Sequence, residues 1–367
     1  MNTLKFGNGE WYGKKDTILA YNDLNSNFKP LPFSFDRASS ATRVNKDGLI
    51  ETVGSGEPRI DYKNDSKGAL KLEPSRTNYV NNSNNASLWS SITSGGTITR
   101  ASNYAISPDG TQNATRLQAS VSGSGYALIT LAITSAFDGN YTSTVYVKSN
   151  TNSNQKIAFY GRNSTNNAHT VGNEWTRIEF QGSSASGQSQ LSYLGVSTSV
   201  TNEDNPIDIL VWGGQLEQGY ATSYIPTSGG AVTRVADACN NENLNVDYSG
   251  DYTLYLEHET LSITEYNQFQ FRQETSISYI FRVGNSINIG TNLYTAANTI
   301  GFNKFALSVT SIGSYKFYKN GVLLSSGSGL NANLETLRND ALGMNIKEIK
   351  LYNTALTDQE LINLTSN

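Results

Sequence analysis

Apolar and polar residues alternate in short runs along most of this 367-residue chain, and Gly, Asn, Ser and Pro separate the runs. The stretch 33–89 shows the pattern most sharply. Ala41-Thr42-Arg43-Val44 alternates, Asn45-Lys46-Asp47-Gly48 supplies turn chemistry with Gly48 free to take positive φ, and Leu49-Ile50-Glu51-Thr52-Val53 resumes extended structure. A hairpin is expected there. Glu57-Pro58-Arg59-Ile60-Asp61-Tyr62 reads as a further extended piece, because the residue before a proline is pushed out of the helical region. Ala69-Leu70-Lys71-Leu72-Glu73-Pro74 is another, stopped by its own proline.

Downstream, a Pro108-Asp109-Gly110 turn precedes the alternating run 114–119, and strands are expected at 126–133, 141–148, 156–160, 174–181, 191–196 and 207–216. Gaps of about ten residues rich in Gly, Asn and Ser are the pattern of a sandwich or barrel. The polar run Asn240-Asn241-Glu242-Asn243 is a connector. Beyond it, strands are expected at 252–257, 278–283, 286–289, 305–310 and 315–319, with Asn320-Gly321 a type I′ hairpin signal before Val322-Leu323-Leu324. The close, 347–361, reads as a strand and then a short helix, with Thr357 as N-cap and Glu360 completing a capping box. The first 32 residues are ambiguous. Within them 17–21 is a strand or a short helical turn, and the segment is either a docking arm or a first strand and loop of the same domain.

Two strings are more particular than generic strand and turn. In the first, Arg37, Ser39, Ala41, Thr42 and Gly48 are followed by Pro58, Arg59, Asp61 and Tyr62, and then by Leu70, Leu72, Glu73, Pro74, Arg76, Thr77 and Asn78. The second is 213–227, GGQLEQGYATSYIPT, with Val232-Thr233-Arg234-Val235-Ala236-Asp237 after it. In this order they resemble a segment of tailed-bacteriophage virion proteins of the tail-fibre, tail-spike or surface-adhesion type. The run 81–227, with its Asn173-Glu174-Trp175-Thr176-Arg177 step, resembles jelly-roll carbohydrate-binding modules. The strand and Leu356-Thr357-Asp358-Gln359-Glu360-Leu361 ending resembles concanavalin A-like, laminin G-like sandwiches.

The resemblance implies an all-β fold, with two β-sandwich (jelly-roll) domains in tandem behind an N-terminal arm. The arm and hairpin segment would be 1–80, attached to other virion proteins. The carbohydrate-binding-like domain would be 81–239 and the laminin G-like sandwich 240–367. A non-enzymatic adhesin of the virion is implied, made in the host bacterial cytoplasm and binding host-surface polysaccharide as a homo-oligomer. A trimer is usual in such proteins, although no heptad run is present. Purely architectural decoration of head or tail, and a capsular polysaccharide depolymerase, are the alternatives.

Composition narrows this further. Hydrophobic content of 37% with 32 Gly and 21 Tyr describes many short strands joined by tight turns. The 27 Lys and Arg against 31 Asp and Glu give a net charge of −4 with no long run of one sign, so nucleic-acid binding gains no support. Cys239 is the single cysteine, which excludes an internal disulfide and reads as an inert buried thiol, and two histidines offer no Cys/His zinc site. No run approaches the roughly eighteen apolar residues of a membrane span, so membrane insertion is not expected. The first fifteen residues lack the apolar core of a signal peptide.

For catalysis, Glu257 and Glu259 share one strand face about 6 to 7 Å apart by strand rise. That spacing suits a hydrolase and equally an exposed edge blunted by charge. No catalytic motif accompanies it, and no catalytic residue is assigned. His258 is expected to face solvent from the same strand, Trp175 and Trp212 to lie in the core, and Trp89 to plug the sandwich edge. Sugars offer apolar C–H faces to aromatic rings and hydroxyls to amides and charged groups. The expected glycan face is therefore the loop after the 159–160 strand, with Tyr160, Arg162, Asn163, Asn166 and His169, or else His169 is a plain polar loop tip. No cofactor is required, and the resemblance to binding modules offers Asp208 as one reading of a structural calcium ligand. The alternative for Asp208 is an exposed strand aspartate.

Overall fold

The computed structural model describes residues 3–7, 12–14, 17–22, 31–132, 139–161, 168–184, 191–240, 250–263, 268–273, 279–330, 333–339 and 343–366. The chain is all-β, built of antiparallel strands, with one α-helix, Asp358–Thr365, among the described residues. It divides into two compact units, one of residues 48–51 and 76–234, the other of 1–47, 52–75 and 235–367. The expected divisions at 80 and 239 are redrawn accordingly. A unit made of 76–234 is inserted in the sequence of a discontinuous one.

In the discontinuous unit, Thr3–Gly7 runs antiparallel to Met344–Tyr352, pairing Thr3 with Tyr352 and Gly7 with Glu348. Thr17–Asn22, Leu31–Asp36 and Ala238–Asn240 continue outward from it in the same sheet. Residues expected as an arm are thus strands of the 252–352 sandwich, because they satisfy the main-chain donors and acceptors along the free side of Met344–Tyr352. On its other side lie Tyr252–Thr260, Gly301–Val309, Tyr315–Lys319 and Val322–Gly327. The second layer is the sheet of Tyr294–Ala297, Ser286–Ile289, Tyr279–Gly284, Gln268–Arg272 and Thr336–Asn339. Aromatic rings fill the space between, with Phe281 5.8 Å from Phe305 and 5.5 Å from Phe317. The Asn320-Gly321 hairpin forms as expected, both residues at positive φ. So does the capping box of Thr357 and Glu360, which starts the helix whose Leu361 packs with Tyr255, Tyr318 and Leu356.

His258 departs from expectation. The alternation that turns Leu254 and Leu256 inward turns His258 inward too, so it is fully buried, stacked 5.4 Å from Phe305, with Nε2 3.0 Å from Thr260 Oγ1. Burial, reinforced by the Lys319 charge, pushes its pKa down to about 3. An unfolded imidazole takes its proton near pH ~6.5, so the unfolded chain binds more protons between these values. Stability is therefore expected to fall as pH drops below ~6.5, by up to about 1.4 kcal/mol per pH unit. Urea unfolding at about pH 7.5 and about pH 5 should show a smaller acid loss in His258→Phe than in the unaltered protein. Equal losses in both would exclude His258 as the cause.

Several residues that carry the virion resemblance form buried polar clamps. Arg37 pairs with Asp237 at 3.1 Å, and Arg59 pairs with Glu73 at 2.6 Å and with Asp237, all with side chains at most 1% exposed. Arg37 also donates to the Ser39 and Gly54 carbonyls, Arg59 to that of Thr42, and the Glu73 amide donates to Asp237. Burial opposes the charge on Arg59, but Asp237 and Glu73 outweigh it and hold its pKa above the ordinary value. Glu73 and Asp237 lie where the chain leaves and rejoins this unit, so the cluster fixes both crossings. Cys239 is buried on the following strand rather than in a connector, and burial pushes its thiol up to about 12.

The inserted unit is a sandwich organised by one long hairpin, Ser90–Ala105 with Ala114–Ala132. Tyr126–Ala132 pairs with Leu191–Ser197, while Thr115 to Ala119 pair with the start of Ile207–Gln218. The hairpin therefore belongs to both layers. One layer continues through Gln155–Gly161 to Ala168–Val171, the other through Gly139–Ser149 to Thr176–Ser184. Phe159 and Phe180 meet across the core at 5.0 Å. Leu117, Ala119, Val145, Leu194 and Val211 are buried with them, and Trp89 and Trp212 are buried as expected. Asn78 clamps the chain inside this unit, donating to the Gly214 and Ile225 carbonyls and accepting from the Val80 and Leu216 amides. Gln215 and Glu217 do the same for 222–225, Glu217 accepting from the Thr222 amide and hydroxyl and Gln215 from the Ile225 amide.

Candidate glycan-binding groove

On the inserted unit, alternation along Ala114–Ala132 turns Leu117, Ala119 and Val121 into the core and leaves Arg116, Gln118 and Ser120 outward. Register places Thr97 beside Ser120, and Thr99 beside Gln118, which in turn is beside Asp208. Three neighbouring strands thus present a polar row, Thr99–Gln118–Asp208, flanked by Thr97 and Ser120. The Asp204–Pro206 segment and Thr151 wall this floor into a groove of about 620 Å³, to which Gln155 also contributes. A smaller cavity of about 290 Å³ beside Tyr279 and Asn292 lies in the discontinuous unit.

The groove is pre-organised by Asp208. Its Oδ1 accepts from Arg116 Nε at 2.9 Å and Asn150 Nδ2 at 3.1 Å, and its Oδ2 from Arg116 Nη2 at 2.5 Å and Gln118 Nε2 at 3.3 Å. The Arg116 hydrogen bonds hold the carboxyl below its ordinary pKa, so it stays ionised. The Asp208 main chain is fixed too, its amide donating to Gln155 Oε1 and its carbonyl accepting from Gln155 Nε2. Arg116 also lies over the ring of Tyr104, 5.0 Å from its centroid, and Tyr104 is 44% exposed. A hydroxyl-rich ligand would find amide and hydroxyl groups of both polarities held at fixed spacing, with an aromatic face nearby.

Asp208 is therefore not placed as a calcium ligand. Its carboxylate faces donors only, and a cation would have to displace a bidentate guanidinium. Among the described residues no group of three or more His, Cys, Asp or Glu side chains is arranged to hold a metal ion.

Of the expected glycan face, two residues, Tyr160 and His169, are described. Arg162, Asn163 and Asn166 lie outside the described residues. Tyr160 and His169 belong to opposite faces of their hairpin. His169 pairs with the core residue Ile157 and packs its ring 5.9 Å from Phe159, where burial lowers its pKa. Tyr160 packs with Ala158, Ala168 and Tyr193 on the other face. Of the two acids on the 252–260 strand, Glu257 accepts from the Tyr255 hydroxyl and Glu259 from the Asn345 and Asn64 side-chain amides. Trp175 is half-buried rather than core, its Nε1 donating to the Ile106 carbonyl. Thr97, Thr99, Arg116 and Gln118 were missed because outward Thr, Arg and Gln are ordinary on any solvated strand. The one signal was the alternation of 114–119, which places Arg116 and Gln118 outward without saying beside what, and nothing marks Thr97 or Thr99.

No protein-family model matches the chain, and no curated protein matches its sequence. Solved structures similar to it include domain 4 of AbnA, a GH43 extracellular arabinanase from Geobacillus stearothermophilus, in complex with arabinotriose. That match has 16% identity, covers 41% of this chain and 83% of that one, and has a TM-score of 0.30. The Ruminococcus gnavus IT-sialidase CBM40 bound to α2,3-sialyllactose matches at 15% identity over 32% of this chain and 83% of that one, TM-score 0.26. The binding domain of botulinum neurotoxin DC in complex with rat synaptotagmin II matches at 11% identity, TM-score 0.28, covering 35% of this chain and 40% of that one.

Proposed function

We propose that the chain is a non-enzymatic bacteriophage surface adhesin whose inserted sandwich binds host-cell surface glycan in the groove floored by Thr99, Gln118 and Asp208. The observation that carries the glycan reading is that polar row, fixed by Arg116 and Asn150 and walled by the Asp204–Pro206 segment. The virion setting is supported by the resemblance that the two motif strings carry in the sequence. The Arg116 hydrogen bonds that keep Asp208 ionised make it unfit for the proton-donating role in glycoside hydrolysis. Single sites of this size bind weakly, so several copies acting together on a particle would supply avidity.

Equilibrium binding of the purified full chain to host polysaccharide tests this. Gln118→Ala is expected to weaken binding about tenfold, the worth of one lost well-placed hydrogen bond. The unfolding midpoint should stay unchanged, because Gln118 is only half-buried. Release of new reducing ends from the same polysaccharide would instead favour a depolymerase. Docking on particles that lack the protein, without any glycan binding, would favour an architectural role.

A further inference from the structure

We propose that the groove selects uncharged glycans and rejects those carrying carboxylates, an inference that rests on its reading as a glycan site. Among the described residues that line it, Asp204 and Asp208 are the ionisable ones, and neither Lys nor Arg is present. Arg116, on the strand that carries Gln118, is already engaged by Asp208 through both Nε and Nη2. Its charge is matched by that carboxylate. Asp204 is exposed, and one of its oxygens accepts from the Lys156 amide at 2.7 Å, which fixes the carboxylate without neutralising it.

Among the described residues no ion pair engages Asp204, so the groove presents a negative charge at its wall. A uronic or sialic carboxylate seated there would meet the exposed Asp204 carboxylate, and like charges brought together there repel to a degree that salt screens. A neutral hexose or an N-acylated hexosamine brings only hydroxyls and an amide. These match the hydroxyls of Thr97, Thr99 and Ser120 and the amide of Gln118 in both donor and acceptor capacity. Pro206, exposed at the wall, offers a flat apolar edge to a sugar C–H face.

The test is binding of the full chain to a panel of neutral and acidic bacterial polysaccharides, at low and at raised salt. Neutral members are expected to bind at least about tenfold more tightly than uronate-containing ones, and salt should narrow the difference by screening Asp204. Asp204→Lys should raise affinity for the acidic members about tenfold or more, and Asp204→Asn should raise it less. If the unaltered chain binds acidic members as tightly as neutral ones and Asp204→Lys changes nothing, the charge selectivity is overturned while the groove stands as a glycan site. If no member of either class binds, the glycan reading and this inference fall together.

Discussion

Asp237→Ala is expected to cost the discontinuous unit about 3–5 kcal/mol, a large share of the roughly 5–15 kcal/mol that holds a typical domain folded. Asp237 is the one acid shared by two fully buried guanidiniums, and it also accepts from the Glu73 amide. Removing it takes the Asp237 carboxylate from both Arg37 and Arg59, in a site where both guanidiniums are buried. Breaking a buried pair is far costlier than replacing the whole of it, because the stranded charge keeps its desolvation penalty. A variant carrying Arg37→Met, Arg59→Met, Glu73→Gln and Asp237→Leu should accordingly be more stable than Asp237→Ala despite its greater change. Hydrogen exchange at the amides of Leu70, Leu72 and Leu254 reads the effect, while Trp212 emission reports the inserted unit independently. Protection in Asp237→Ala within about 1 kcal/mol of the unaltered protein would mean the cluster contributes little net stability.

The second large effect is expected at Gly125, where Ala should destabilise the inserted unit by about 3 kcal/mol or more. Gly125 sits at φ +154° between the two halves of Ala114–Ala132, and a Cβ there would overlap the Ser94 carbonyl oxygen of the partner strand. Main chain cannot yield as a flexible side chain can. The bulge between Ser94 and Gly96 lies opposite, so the hairpin bends here and carries one strand pair from layer to layer. Loss of the bend would separate the Tyr126–Ala132 pairing with Leu191–Ser197 from the Thr115-to-Ala119 pairing with Ile207–Gln218. Gly123→Ala is the control, since Gly123 also has positive φ but nothing lies within 4 Å of its Cβ position. It should cost only about 1 kcal/mol. Urea unfolding followed by Trp89 and Trp212 emission distinguishes them, and equal midpoints would contradict a steric role for Gly125.

What could be read from the sequence is what local chemistry decides. The Asn320-Gly321 hairpin and the Thr357–Glu360 capping box depend on residues at most a few positions apart, and both formed where expected. The motif string around Arg37, Arg59 and Glu73 was visible, but its purpose was not. Glu73 and Asp237 meet across a sequence separation of 164 residues, and nothing in either string names the other as partner. Strand Ser90–Ala105 escaped notice because it is exposed along nearly its whole length, so SSITSGGTITRASNYA carries no buried face to impose alternation. His258 was misplaced for the opposite reason. Polarity suggested solvent, while the period of its strand, set by Leu254 and Leu256, required the core. The glycan loop was chosen on composition, and register then put Tyr160 and His169 on opposite faces.

Hydrogen-exchange footprinting of the full chain, titrated with the neutral polysaccharide it binds most tightly, tests the groove most directly. Protection is expected at 97–99, 116–120 and 204–208, with its titration midpoint moved to about tenfold higher ligand concentration in Gln118→Ala. Protection centred on the Tyr160–Tyr193 face or on the discontinuous unit, with 116–120 and 204–208 unchanged, would contradict it.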